Sequence, residues 1–328
     1  MPVNYENETL YSSEELSQIL KVPQEEVTTF VKDRNINTVK LQNVIHIPKH
    51  TLEDFFDDYF AFKGMAGDRN YYKIPDWLNN CTSSWAITLT KMYQKSFNYP
   101  SPLSPEQGEF MKSLVCNINP KNVLEIGCFT GISTIWMAAG LEQIESPATI
   151  HSVDLFDDIM PWLPHRYGYL SNPLEYAQES VVTAQLSHRI KFHKMNSQEM
   201  GKKYHEIINK PIDFLFIDGD HTKRGCLTDL ILFYPHVSIG GYILLHDIYP
   251  DNCDWDGPRF VIDKFLKNNS HFDLVEVKTS PNNFGMALIR KLSNDGKLNF
   301  ADRLLKTQIW QQLKKNSVSQ WITEFVFR

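Results

Sequence analysis

This chain of 328 residues has little of what marks several large protein classes. Its five cysteines (Cys81, Cys116, Cys128, Cys226 and Cys253) are odd in number, scattered, and include no Cys-x-x-Cys pair. That pattern excludes a disulfide framework and a cysteine zinc site, and predicts reduced thiols in a cytoplasmic protein. No apolar run approaches the ~18 residues that would span a bilayer. The opening MPVNYENETL is polar and acidic, so no signal peptide is expected. An excess of basic charge is also missing. The formal net charge is −6, and residues 1–60 carry all of it, with five basic side chains (Lys21, Lys32, Arg34, Lys40 and Lys49) against eleven acidic ones. The remainder is neutral, which argues against a nucleic-acid or anionic-membrane surface.

What is present centres on Lys121 to Ser133, KNVLEIGCFTGIS. An apolar strand, Val123-Leu124-Glu125-Ile126, runs into Gly127, then Cys128-Phe129-Thr130-Gly131, then a helical pattern from Ile132 to Leu141. Strand, glycine turn and helix open a doubly wound α/β domain, where glycines let the backbone approach a ligand and the helix start offers free N–H groups. His151-Ser152-Val153-Asp154 predicts a second strand ending in an acid, at the distance expected of a ribose-binding carboxylate. Ile212 to His221, IDFLFIDGDH, predicts a buried strand ending in charge. Strands are also expected at Ile190–Lys194 and Ile239–Asp247, with a closing antiparallel pair at Leu274–Lys278 and Gly285–Arg290.

In this order the pieces resemble the class I S-adenosylmethionine-dependent methyltransferases, over roughly residues 98 to 292. Glu125-Ile126-Gly127-x-Phe129-Thr130-Gly131-x-Ser133 is similar to their donor-binding loop, and the whole looks most like the metal-dependent O-methyltransferases of the caffeoyl-CoA, catechol and macrocin types. The resemblance implies a seven-stranded Rossmann-like sheet and S-adenosylmethionine as cofactor. It implies cofactor contacts from Glu125, Gly127, Thr130, Gly131, Ser133, Asp154, the adjacent Leu155, Ser197 and Asp218. In the metal-dependent relatives the first acid of Asp218-Gly219-Asp220-His221 binds a divalent cation, and the residue three places later acts as base. Asp218 and His221 hold those places, and Asp247 is the second metal acid, for Mg²⁺ or Mn²⁺. Where the catechol and caffeoyl-CoA pattern continues with Asn, this chain has Ile248, which cannot ligate; His246-Asp247-Ile248 is closer to the antibiotic-pathway branch. Sequence context offers no comparable setting for the ten other histidines. The lead-in PSPLSPEQGEF, Pro100 to Phe110, resembles the family segment beside the cofactor's methionine end.

Residues 1–62 read as a unit of helix, turn, helix, hairpin and helix, similar to excisionase and MerR-type winged DNA-binding domains. Its second helix begins Gln24-Glu25-Glu26, so dimerisation, docking or substrate gating is favoured over DNA contact. Residues 63–97 read as an aromatic helical linker or cap, and residues 98–292 as the methyltransferase domain. The stretch Leu155 to Pro173, with Trp162, His165, Arg166, Tyr167 and Tyr169, suits either a substrate lid or a packed loop. Residues 293–328 read as a helical tail whose apolar spacing from Asn299 to Arg328 asks for a cover, expected to be a homodimer contact. The expectation is an O-methyltransferase acting on a hydroxyl of a small molecule, in secondary metabolism. The alternatives are an N- or protein methyltransferase, or a DNA-binding regulator that senses S-adenosylmethionine. The Asn/Asp-Pro-Pro-Tyr signature of amino-directed nucleic-acid methylation is missing.

Overall fold

The computed structural model describes residues 2–5, 8–65, 71–278 and 284–294. The helix expected from Asn299 onward, and the homodimer contact built on it, lie outside the described residues. The chain divides into two compact units. One comprises residues 1–102 with 157–176, the other residues 103–156 with 177–328.

In the first unit the strands are β1 (Val3–Tyr5), β2 (Glu8–Ser12), β3 (Val39–Leu41) and β4 (Val44–Pro48). Ser12 caps the helix Ser13–Leu20 by a reciprocal capping box with Glu15, as the Ser-Ser-Glu-Glu run predicts. Helices Gln24–Asp33 and Leu52–Phe62 follow in the expected order. The hairpin is wider than expected, because β1 and β2 extend it into an antiparallel sheet ordered β1-β2-β4-β3. Leu16, Val27, Phe30, Phe55, Phe56 and Phe60 form the core, and Tyr167 and Tyr169 pack into it from the 157–176 segment. This decides the reading of that segment. Tyr169 lies 5.6 Å from Phe56 and Tyr167 5.3 Å from Phe60, ring to ring. Arg166 donates to the Met160 carbonyl and the Ser101 hydroxyl, and Lys49 pairs with Asp158 at 2.7 Å. Tyr167, Tyr169 and Arg166 therefore serve packing within this unit, where buried rings contribute much of the stability. The aromatic stretch expected to be helical holds two helices, Asp76–Asn79 and Ser84–Tyr93.

The second unit is built on a seven-stranded sheet of β5 (Asn122–Ile126), β6 (Thr149–Asp154), β7 (Ile190–Lys194), β8 (Ile212–Ile217), β9 (Val237–His246), β10 (Phe272–Val277) and β11 (Met286–Lys291). The order is β10-β11-β9-β8-β5-β6-β7. The five strands β5 to β9 are parallel, and β11 joins β9 antiparallel before pairing with β10. This is the doubly wound methyltransferase architecture expected from the strand pattern. Chain order reverses at β5, with β6 on one side and β8 on the other. Ligands of such sheets bind outside the carboxyl ends at that point.

Helix Ile132–Gln143 is buried along its first ten residues and shows no polar face, because it lies between the sheet and helix Pro105–Ile118. Two glycines allow that closeness. A Cβ on Gly108 would stand 2.0 Å from the Trp136 indole nitrogen, and one on Gly140 2.8 Å from the Lys112 carbonyl oxygen. Leu215, Ile217, Ile243 and Leu245 anchor the core on the other face. All five cysteines are free thiols, as their spacing predicts. Among the described residues no helix is long and apolar enough to cross a membrane.

Candidate active site

The carboxyl ends of β5, β6, β8 and β9 meet around the glycine corner. Gly127 leaves β5 at φ +89°, and a Cβ there would lie 2.1 Å from the Asp218 carbonyl oxygen. The corner after β5 and the acidic turn after β8 are thus in direct contact, held by the Asp218 N–H donating to the Ile126 carbonyl at 2.8 Å. Gly131, at φ +90°, begins helix Ile132–Gln143 without a side-chain cap, leaving first-turn N–H groups available to an anionic group. These features fit a cradle for the carboxylate end of an amino-acid-bearing cofactor.

Asp154, at the end of β6, faces this corner. Its Oδ2 accepts the Cys128 and Phe129 N–H groups, both at 2.8 Å, and its Oδ1 accepts the Phe156 N–H at 2.7 Å. The side chain predicted to hold a ribose also fixes the loop. A carboxylate has about four lone-pair sites, so Oδ1 keeps capacity for a ligand hydroxyl. Leu155 beside it is half exposed.

Glu125 and Ser133, predicted beside the cofactor, lie behind the loop. The Glu125 carboxylate is fully buried and accepts hydroxyl hydrogen bonds from Ser133 and Thr134 at 2.5 Å and from Ser152 at 2.6 Å. Burial pushes its pKa up to about 7, against the three hydroxyls, which favour the charged form. Thr130 is likewise buried. Ser197 starts the helix Ser197–Ile207 and hydrogen-bonds the buried Asp229, whose pKa burial raises to about 7.

Beyond the corner lies a cluster of opposite charges. His221 Nε2 is 3.2 Å from Asp218 Oδ1 and 3.0 Å from Asp247 Oδ2. Burial works against a charge on His221, but the two carboxylates outweigh it and raise its pKa to about 10. Asp247 is pushed well down by the facing imidazoles, against its own burial. It sits in the left-handed region at φ +57°. Donor atoms of Asp218, His221 and Asp247 lie within 4.8 Å of one another, so the cluster can hold a cation. Ile248 is fully buried in the core, as its apolar side chain demands.

Two members of this site escape sequence reasoning. His246 is not an ordinary histidine: its Nδ1 lies 3.0 Å from Asp218 Oδ1 and 2.9 Å from Asp247 Oδ1. Burial opposes its charge, and the flanking carboxylates raise its pKa to about 10. Its Nε2 is 3.3 Å from Gln107 Oε1. Gln107 belongs to the capping box of helix Pro105–Ile118, with Ser104 as partner. The Ser-Pro-Glu-Gln run signals that helix start, but nothing local says that the glutamine touches a histidine 139 positions away. A cavity of about 400 Å³ opens at the other end of the sheet, lined by Tyr204, His236 and Lys291 among others. Its lining contains neither acid pair nor glycine turn.

The sheet, corner and acid cluster lie together at the carboxyl ends of the parallel strands, and comparison with known proteins shows what they resemble. Residues 124–248 match the family model described as "Methyltransferase domain", and residues 84–155 that described as "O-methyltransferase". A catechol O-methyltransferase of Niastella koreensis is 27% identical over 118 residues, covering 36% of this chain and 46% of that protein. Caffeoyl-CoA O-methyltransferase 2 of Petunia hybrida is 27% identical over 218 residues, covering 58% of this chain and 76% of that protein. The solved O-methyltransferase from Bacillus cereus in complex with SAH has a TM-score of 0.49 and 20% identity, over 72% of this chain and all of that one. The similarity to methyltransferase and O-methyltransferase domains lies in residues 84–248 of this chain.

Proposed function

We propose that this enzyme transfers a methyl group from S-adenosylmethionine to a hydroxyl of a small molecule, in secondary metabolism. One observation carries the reading: the glycine corner and the Asp218–His221–Asp247 cluster are joined through the contact of Gly127 with Asp218. A donor held at the corner and a hydroxyl held at the cluster are thereby neighbours. Proximity and orientation supply much of the barrier reduction in such a displacement.

S-adenosylmethionine, when bound, supplies a methyl group already activated on a sulfonium. In this reading Gly127, Thr130 and Gly131 shape the corner for its amino-acid end. Asp154 holds the loop through Cys128 and Phe129 and offers Oδ1 to the ribose. Leu155 and Ser197 flank the base. Glu125 and Ser133 keep the first turn of the helix in register from behind. His221 acts as the base in its neutral form: its Nε2–H is donated to Asp218 and Asp247, which orient the ring, and its other ring nitrogen takes the proton of the attacking hydroxyl. The carboxylates of Asp218 and Asp247 would hold a divalent cation, Mg²⁺ or Mn²⁺, adding positive charge where the hydroxyl loses its proton. The acidic residues 1–62 gate or dock rather than read DNA, and the enzyme is a homodimer, which light scattering would test.

The decisive test is calorimetry with S-adenosylhomocysteine, followed by methyl transfer to a panel of phenols and sugars with and without chelator. Donor binding with a methylated hydroxyl product is expected. Absence of heat, or methylation of amines alone, overturns the reading.

A further inference from the structure

We infer that the cavity at the amino ends of β8 and β9 binds a phosphate dianion, free or carried on a small ester. The site goes beyond the methyl-transfer reading and does not rest on it, because it lies at the edge of the sheet opposite the glycine corner.

Lys291 closes β11, and its side chain turns inward, leaving the residue 1% exposed. Its Nζ donates to the Val237 carbonyl at 2.8 Å and the Tyr234 carbonyl at 3.0 Å, and lies 4.2 Å from the centroid of the Tyr234 ring. Those partners solvate the ammonium, but none carries a formal negative charge. Buried charges are normally paired, and one without a counter-ion is costly. Burial pushes the Lys291 pKa down to about 8, with no carboxylate acting against it. The group stays mostly protonated at pH 7, so its charge is open to an anion.

Lys291 lines a cavity of about 400 Å³, and so does a second lysine, Lys210. No aspartate or glutamate among the described residues lines it. Asp213, close by in sequence, is already engaged. Its Oδ2 accepts the Lys121 and Asn122 N–H groups at 2.9 and 3.2 Å, and its Oδ1 accepts the Ser238 hydroxyl at 3.2 Å. Two imidazoles complete the polar wall. His236 stacks on Tyr204 at 3.8 Å, and His205 meets His236 edge to face at 5.1 Å. The Tyr204 hydroxyl donates to the Lys210 carbonyl, which fixes the turn carrying the second lysine. Rings and turn are thus in place before a ligand arrives, which lowers the ordering cost of binding.

Charge and size select the ligand. Two ammonium groups, with neutral imidazoles able to donate one hydrogen bond each, match a dianion better than a monocarboxylate. The volume falls within the range of small-molecule sites, about 300–1,000 Å³. Pro211 and Ile239 add an apolar wall suited to the body of an ester.

The test is calorimetry on the full chain at fixed ionic strength, with inorganic phosphate, phenyl phosphate and benzoate as probes. S-adenosylhomocysteine is present to fill the glycine corner, and chelator to keep metal ions off the acid cluster, so that neither takes the anion. Saturable binding of a phosphate is expected, about tenfold or more tighter than benzoate and roughly tenfold weaker in Lys291→Met and in Lys210→Glu. Inorganic phosphate binding at least as tightly as phenyl phosphate assigns the site to the free ion, and the reverse assigns it to an ester; both support the proposal. No saturable binding below about 10 mM, benzoate binding as tightly as the phosphates, or unchanged affinity in either folded variant would each overturn it. Should Lys291→Met fail to fold, Lys210→Glu, on the turn before β8, decides alone.

Discussion

His221 Nε2 lies 3.0 Å from Asp247 Oδ2, although the two residues come from turns after different strands. The pairing gives the imidazole an orientation and keeps its ring edge at the rim of the cluster. His221→Asn keeps the shape and removes the proposed base. Turnover is expected to fall by about 10²–10⁴ with donor affinity and thermal midpoint retained. Steady-state kinetics beside calorimetry check this, and unchanged turnover moves the base elsewhere.

Gly127→Ala puts a Cβ 2.1 Å from the Asp218 carbonyl oxygen at a backbone angle that side chains avoid. A destabilisation of roughly 2–5 kcal/mol is expected from the left-handed conformation together with overpacking. Denaturant unfolding measures it. A variant as stable as wild type would mean that the corner and the acidic turn are not in contact.

Asp154→Ala removes the acceptor of the Cys128 and Phe129 N–H groups. Loss of charge-assisted hydrogen bonds worth about 1.5–3 kcal/mol corresponds to roughly 10- to 150-fold weaker S-adenosylhomocysteine binding. Hydrogen exchange at residues 127–131 should rise in parallel. Weaker binding with unchanged exchange would indicate a ligand contact without the loop-holding role.

Glu125 sets a pH dependence whose sign is fixed by its shift. Its pKa rises from the ordinary 4.5 to about 7 in the fold, with burial as the cause. The folded state therefore holds a proton that the unfolded state releases. Its stabilising contribution is complete below about pH 4.5 and is lost as pH rises through about 7, a change of about 3 kcal/mol. In Glu125→Gln that slope should lessen, leaving the part due to the similarly raised Asp229. Unfolding curves from pH 4 to 8 for both proteins test it, and parallel slopes would place the titration on another group.

The parallel strands were legible in sequence because a buried strand reads as an apolar run, and IDFLFIDGDH announces both the strand and its charged end. The Ser-x-x-Glu and Ser-x-x-Gln starts were legible for a similar reason, since a capping box is closed within four residues. Strands β1 and β2 were missed because short partly exposed strands carry little pattern. The 155–173 segment was undecidable because tyrosines and arginines suit a lid and a core equally well, and only partners such as Phe56 and Phe60 distinguish them.

Sequence by itself determined the order of strands and helices and the glycine corner, since each is written in spacing over a few positions, and its resemblance to a known family singled out Asp218, His221 and Asp247. Tertiary structure alone decided that His246 joins them, that Gln107 orients it, and that Glu125 and Ser133 stand behind the loop. Those relationships connect residues up to 139 positions apart. Which lone pair faces which depends on how the strand ends and the helix start converge, and no local pattern encodes that convergence.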